Sequence, residues 1–310
     1  MKFTVYHETR IGKRRNNEDR LGYSYSREAL LMVVADGMGG HYYGEIAAHI
    51  AVQTLTEAFD REAKPKLNDP FMFLRQGFNH AHKAILDFAN MHELADSPRT
   101  TCVGCVVQGN VAYWAHSGDS RLYMLRKGKV LARTKDHSRV QALVDQGVIS
   151  EREMPDHADR NKIYGCLGGQ QAPEITYSRK TPMEAGDVLI LCSDGLWSGI
   201  SGEFLASSVR NTPLARAIPA LLDAAESKEG AHTDNLSALG VRWEDTYVDA
   251  NSASGVISTR TMNRHTVTTK MDGFGRSPDH KTDLSDEEIE RTIGEINAAI
   301  NKSLPYANSR

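Results

Sequence analysis

The sequence predicts an α+β protein. Two amphipathic helical stretches lie in its first third, and a succession of short strands broken by tight turns follows. Acidic residues, most of them next to glycine, stand at the ends of several of those strands. Residues 3–6 and, more strongly, 30–35 have the apolar character of strands. From 44 to 59 the period changes to that of a helix, with Ile46, Ala47, Ile50, Ala51, Leu55 and Phe59 on one stripe. Pro65 and Pro70 bracket a loop. A second helical seam of Phe71, Leu74, Phe78, Ala81, Ile85 and Phe88 follows at alternating three- and four-residue steps. Strands are expected at 100–107 and 111–115 around the Gly109-Asn110 turn, and at 121–125 and 130–133 around Lys127-Gly128. A short helix at 140–146 is closed by Gly147, and residues 148–172 are polar, rich in glycine and a candidate mobile segment. Strands return at 174–179 and 187–192, residues 201–228 read as helical, and 236–243 as a last strand.

Bulk properties narrow the function classes. At 310 residues the chain can form one large domain or two small ones, and 40% hydrophobic with 25% charged residues suits a water-soluble globular fold. The net charge is −3 and no long Lys/Arg run exists, so no nucleic-acid partner is expected. The short cluster Lys13-Arg14-Arg15 suits a small anion instead. Residues 1–8 lack the apolar core of a signal peptide, and no apolar run could span a bilayer. A cytoplasmic monomer without membrane contact is therefore expected. Four cysteines do not make a disulfide framework at this length.

Composition shifts at Asp245. Residues 1–244 are expected to form the catalytic domain, 245–283 a flexible polar linker, and 284–310 a tail with a short helix. Ser285 is the candidate N-cap of that helix, ahead of an acidic first turn. Ile289, Ile293, Ile296 and Ile300 form a thin stripe, expected to dock weakly or remain disordered.

The strand-end acids carry the chemistry. Leu31-Leu-Met-Val-Val-Ala-Asp-Gly-Met-Gly-Gly40 runs an apolar strand into Asp36. The pattern recurs at Ser117-Gly-Asp119 and at Ser193-Asp194-Gly195, while Asp234-Asn235 opens the last strand and Glu18-Asp19 lies near the N-terminus. A carboxylate at a buried strand end is costly unless compensated. Several converging on one rim suggest hard divalent cations held by oxygen, Mg²⁺ or Mn²⁺. Two such ions can activate water and clamp a phosphoryl group, and Arg14 is the candidate cation for the phosphate.

Arg14-x-x-x-Glu18-Asp19, Asp36-Gly-Met-Gly-Gly-His41, Thr100-Thr101, Ser117-Gly-Asp-Ser-Arg121, Lys135-Asp-His-Ser138, Ser193-Asp-Gly195 and Asp234-Asn-x-Ser237 follow one another in an order that resembles the metal-dependent Ser/Thr protein phosphatases of the protein phosphatase 2C type, the bacterial branch in particular. The resemblance covers about residues 1–243. It implies a four-layer αββα sandwich, two antiparallel sheets face to face with helices outside. It also implies two Mn²⁺ or Mg²⁺ ions and a third, weaker one. By motif position Asp36 bridges the two ions and Gly37 offers its carbonyl. Asp194 and Asp234 hold the first ion, Glu18 reaches the second with Asp19 in support, and Asp119 binds the third. Arg14 grips the substrate phosphate. Residues 147–172 form a flap that shapes substrate choice. Animal members carry histidine where this chain has Met38, which leaves His41 or a water as the proton donor. The partners implied are phosphorylated proteins and a cognate Ser/Thr kinase. A phosphoprotein-binding pseudophosphatase and a two-metal hydrolase of small phosphoesters are the alternatives.

Other motifs have blander readings. Gly37-x-Gly39-Gly40 is not a dinucleotide fingerprint, because Asp36 would repel a pyrophosphate. Cys102-x-x-Cys105 lies in a strand, where residues three apart face opposite ways, and is expected to pack in the core.

Overall fold

The structure is a computed structural model that describes residues 1–38, 43–154, 156–245, 268–271 and 286–303. Strands β1 (Phe3–Arg10), β2 (Asp19–Tyr25) and β3 (Ala29–Met38) lead into helices α1 (Tyr43–Glu62) and α2 (Pro70–Met91). Then come β4 (Arg99–Thr100), β5 (Cys102–Gln108), β6 (Val111–Ser117), β7 (Arg121–Arg126), β8 (Lys129–Arg133) and the short α3 (Arg139–Asp145). They are followed by β9 (Thr176–Tyr177), β10 (Thr181–Pro182), β11 (Val188–Cys192), α4 (Asp194–Trp197), α5 (Gly202–Val209), α6 (Leu214–Glu229) and β12 (Leu236–Trp243). Beyond Asp245 lie β13 (Thr268–Met271) and α7 (Asp286–Ser303).

Two antiparallel sheets result. One has the order β1-β12-β11-β7-β8. The other runs β10-β6-β5-β3-β2-β13, with β4 added on β3 and β9 on β6. The period-two pattern of β3 shows how the layers form. Leu30, Met32 and Val34 point between the sheets, where they join Val103, Leu122, Leu189, Leu239 and Trp243. Leu31, Val33 and Ala35 point the other way, against Ile50, Leu55, Leu74 and Phe78 of α1 and α2. The outer face of the first sheet, with Tyr123, Ile190 and Ala238, is covered by Leu205, Ile218 and Leu222 of α5 and α6. The expected αββα sandwich is therefore present. Cys102 lies in the helix-facing core and Cys105 between the sheets, as the spacing of three requires.

The helix α2 begins where the sequence says it should. Asp69 accepts hydrogen bonds from the amides of Phe71 and Met72, and Pro70 needs no amide partner in the first turn. The helical stretch expected over 201–228 divides at Pro213, which caps α6 and cannot continue α5.

Two expectations need correction. Residues 19–25 carry no strand in the sequence reading, yet β2 pairs with β3 along its whole length. The charged pair Asp19-Arg20 and Gly22 hide its alternation. The linker expected over 245–283 also holds a short strand. Thr268–Met271 pairs antiparallel with Gly22–Tyr25, which satisfies the edge of β2. In α7, Ile296, Ala299 and Ile300 are buried in the helix-side core, so a thin stripe suffices because α1 and α2 offer it a groove. Glu295 pairs with His92 at 3.1 Å and Asn297 accepts from Gln53.

Candidate active site

The two sheets bring their acidic ends to one end of the sandwich. In the second sheet Asp19 and Asp36 are direct partners across β2 and β3. In the first sheet Asp194 follows β11 directly, Asp234 precedes β12, and Asp119 sits in the turn between β6 and β7. Arg14, Glu18, Asp36, Gly37, Asp119, Asp194 and Asp234 all line one cleft of about 670 Å³, together with Asn161 and Ile163 from the segment expected to be the flap. Six predicted carboxylate and arginine side chains and the predicted glycine thus meet in one place.

Two predicted residues are not on its wall. Asp19 is buried beneath it, and its Oδ2 accepts a hydrogen bond from Ser193 Oγ at 2.6 Å. It therefore braces the site from behind. His41 lies outside the described residues.

Local sequence explains the close approach. A Cβ at Gly37 would collide with the carbonyl of Gly44, and one at Gly44 with the Glu18 carboxylate. Only glycine lets the start of α1 close down on β3 and Glu18. The Asp36 carbonyl is fixed from both sides of β4, by the Thr101 amide at 2.8 Å and Thr100 Oγ1 at 2.9 Å, and the Asp36 amide donates to Thr101 Oγ1. Asn235 ties the N-terminal loop to the site. Its Oδ1 accepts from the Glu18 amide, and its Nδ2 donates to the carbonyls of Ile11 and Asn16. Neither Asn235 nor Ser193 is a predicted site residue. The signal available was their position beside Asp234 and Asp194.

The electrostatics are those of crowded, buried acids. Burial raises the Glu18 carboxyl to about 7, helped by the charges of Glu45 and Asp234. Burial raises Asp119 to about 7, with Asp136 adding to it, and Asp19 to about 6. Asp36 and Asp194 are pushed well above the usual carboxylate range, first by burial and then by their acidic neighbours. A side-chain hydrogen bond with Asp36 offsets part of the rise at Asp194. Arg14 Nη2 donates to Asp234 Oδ2 at 2.6 Å, so the cation expected to bind phosphate here neutralises a carboxylate.

The donor set fits hard divalent cations. It is anionic and made only of oxygen, and the buried Oδ1 atoms of Asp19 and Asp119 have no hydrogen-bond partner. The acids are gathered but not closed around a point. Among the described residues no group of three or more His, Cys, Asp or Glu side chains makes a ready metal cage. One of these carboxylates, Asp234, is satisfied from within the protein by Arg14.

Comparison with known proteins agrees with this geometry. The sequence profile of the family described as Protein phosphatase 2C matches residues 8–239. The serine/threonine protein phosphatase PstP of Mycobacterium tuberculosis is 32% identical over 226 residues, 73% of this chain but only 42% of the relative. The protein phosphatase PhpP of Streptococcus pneumoniae is 31% identical over 241 residues, 75% of this chain and 95% of that protein. The catalytic domain of the phosphatase PstP, solved in complex with two manganese ions, superposes with a TM-score of 0.67 at 30% identity, covering 78% of this chain and 99% of that domain. The chain spans less than half the length of the mycobacterial relative, and the match covers the part that holds the acidic cleft. On the order of its motifs, the two-sheet fold and the extent of the match, the chain belongs to the protein phosphatase 2C family.

Proposed function

We propose that the protein is a metal-dependent protein serine/threonine phosphatase whose catalytic unit is residues 1–244. The observation that carries this reading is the convergence of Glu18, Asp36, Asp119, Asp194 and Asp234 on one cleft with Arg14 at its rim. Asp36, Asp194, Asp234, Glu18 and the Gly37 carbonyl would hold two Mn²⁺ or Mg²⁺ ions, and Asp119 a third. Bound there, such ions polarise phosphoryl oxygens and acidify water. Asp19, held by Ser193, ties the start of β2 in one sheet to the end of β11 in the other beneath the cleft. Arg14 is the group on the rim that can take the substrate phosphate in a bidentate grip, once it leaves Asp234. Attack by water forms a new P–O bond as the bond to the Ser or Thr oxygen breaks. The leaving oxygen takes a proton from His41 or from a water in the site. The substrates are phosphorylated proteins, and a Ser/Thr kinase acting on the same proteins is the opposing activity.

The test is hydrolysis of a phosphothreonine peptide with Mn²⁺, with Mn²⁺ plus EDTA, and with Asp36→Asn. Turnover should require the metal and be lost in the variant. A folded wild-type protein that binds the peptide with Mn²⁺ present and never turns it over would replace this reading with phosphoprotein binding alone. Faster turnover of nucleotides than of phosphopeptides would move the substrate class to small phosphoesters.

A further inference from the structure

We propose that His137 is a positioning residue that locks the Asp119 turn to residues 161–167, the far wall of the cleft. The inference rests on the phosphatase reading for its kinetic consequence and on geometry alone for its structural one. Gly118, the residue before Asp119, has φ +104°, and a Cβ there would run into Thr101. Its conformation is strained for any other residue, and it needs a fixed frame. His137 supplies that frame at both backbone groups. The His137 amide donates to the Gly118 carbonyl at 2.9 Å, and the Gly118 amide donates to His137 Nδ1 at 3.3 Å. Because Nδ1 accepts, the ring proton is on Nε2, which donates to Thr176 Oγ1 at 2.9 Å.

The same residue grips the cleft wall. Its carbonyl accepts from the Tyr164 amide at 2.9 Å, and the Tyr164 ring lies nearly parallel to the imidazole at 5.9 Å. A Cβ on Gly165 would strike the ring, so residues 164–165 run directly against it. The neighbouring Ser138 bridges to Ile163, and the Arg139 amide donates to the Lys162 carbonyl at 2.8 Å. Asn161 and Ile163, at the start of this wall, face the cleft. The imidazole also stacks on His116 at 4.6 Å, and His116 Nε2 donates to the Lys135 carbonyl. His137 thus packs against two rings, Tyr164 and His116. A displacement of residues 161–167 reaches Gly118 through the backbone and the ring of His137 and turns the Asp119 carboxylate with it.

A packing role and a positioning role differ in what replaces the ring. His137→Leu keeps volume and loses the acceptor. His137→Asn loses ring volume but places Oδ1 where Nδ1 accepts the Gly118 amide. Manganese titration by calorimetry, thermal melting, and kcat and KM on a phosphothreonine peptide would be measured for both. His137→Leu should lose about 10–100-fold in Mn²⁺ affinity at one site and in kcat, and His137→Asn should recover most of it. Thr176→Val, on an exposed residue, frees Nε2 and should shift Mn²⁺ binding the same way by a smaller factor even if the His137 variants do not fold. Asparagine no better than leucine would overturn the proposal, as would unchanged Mn²⁺ binding in Thr176→Val together with unfolded His137 variants. A wild-type protein without turnover, but with Mn²⁺ binding that depends on His137 as described, would sink the phosphatase reading and leave the positioning role standing.

Discussion

Glu18 lies between Glu45 and Asp234, and burial beside these charges raises its carboxyl to about 7, the value Asp119 also reaches. An exposed carboxyl titrates near 4 in an unfolded chain. Between those values the native state binds more protons than the unfolded one, so each group's contribution is full below about 4 and is lost as pH rises through about 7. His49 and His116 work in the opposite sense. Burial lowers both to about 4, so their contribution is lost as pH falls from about 6.5 toward 4. An unfolded histidine is half protonated at about pH 6.5 and mostly neutral by about 7.5, so the acids increasingly decide the slope above about 6.5. The metal-stripped protein should therefore melt at progressively lower temperature from about pH 6.5 to 8, and Mn²⁺ should raise Tm more at the upper end. A flat or rising Tm in EDTA across that window would show that the carboxyls are not crowded as the structure has them. At this scale Asp36, Asp119, Asp194 and Asp234 were legible because each follows or precedes an apolar strand in its own segment. Asn235 was not, because its role is a hydrogen bond to the amide of Glu18, 217 residues away in the chain.

Arg121 on β7 holds the sheet to the cleft through two partners, Asp136 and Trp197. Its Nε and Nη2 meet both oxygens of Asp136 at 2.8 and 2.7 Å, its guanidinium carbon lies 3.5 Å from the centre of the Trp197 ring, and Trp197 donates to the Asp119 carbonyl. Arg121 and Asp136 are both almost fully buried. Removing one partner of such a pair leaves a buried, uncompensated charge. Arg121→Met should cost roughly 3–5 kcal/mol in urea unfolding, and Arg121→Lys should recover only part of it, because an ammonium cannot make the planar fork or the stack. A loss under about 1 kcal/mol in the methionine variant would mean that Asp136 finds water or a new partner. Elements with one clean period, such as α2 and β3, could be read from sequence alone. β2 could not, since Leu21, Tyr23 and Tyr25 alternate with an arginine, a glycine and a serine in a strand buried almost throughout. Its apolar positions become a pattern only when β3 is placed beside it.

The whole molecule joins two parts of different standing. The acidic cleft and both sheets, apart from β13, are complete before Asp245, and the family match ends at residue 239. β13 and α7 then return to the second sheet and its helices, far along the chain from any cleft residue. The sequence showed the change of composition at Asp245 and a stripe able to dock weakly, but not the surfaces they meet, because a four-residue edge strand and a stripe of isoleucines acquire their place only against the β2 edge and the α1–α2 groove. Deleting residues 246–310 exposes the surfaces that Ile296, Ala299 and Ile300 cover. It also leaves Gln53 and His92 without their partners Asn297 and Glu295. Burying an isoleucine contributes about 1.5–3 kcal/mol before the cost of ordering the tail is subtracted. The truncated protein should be less stable by on the order of 3 kcal/mol. Its kcat on a small aryl phosphate with Mn²⁺ should stay within about twofold of the full chain, since twofold is well under 1 kcal/mol of barrier. Lost turnover at unchanged stability would place the tail in the catalytic machinery. Unchanged Tm and turnover together would show that α7 does not hold the groove in solution.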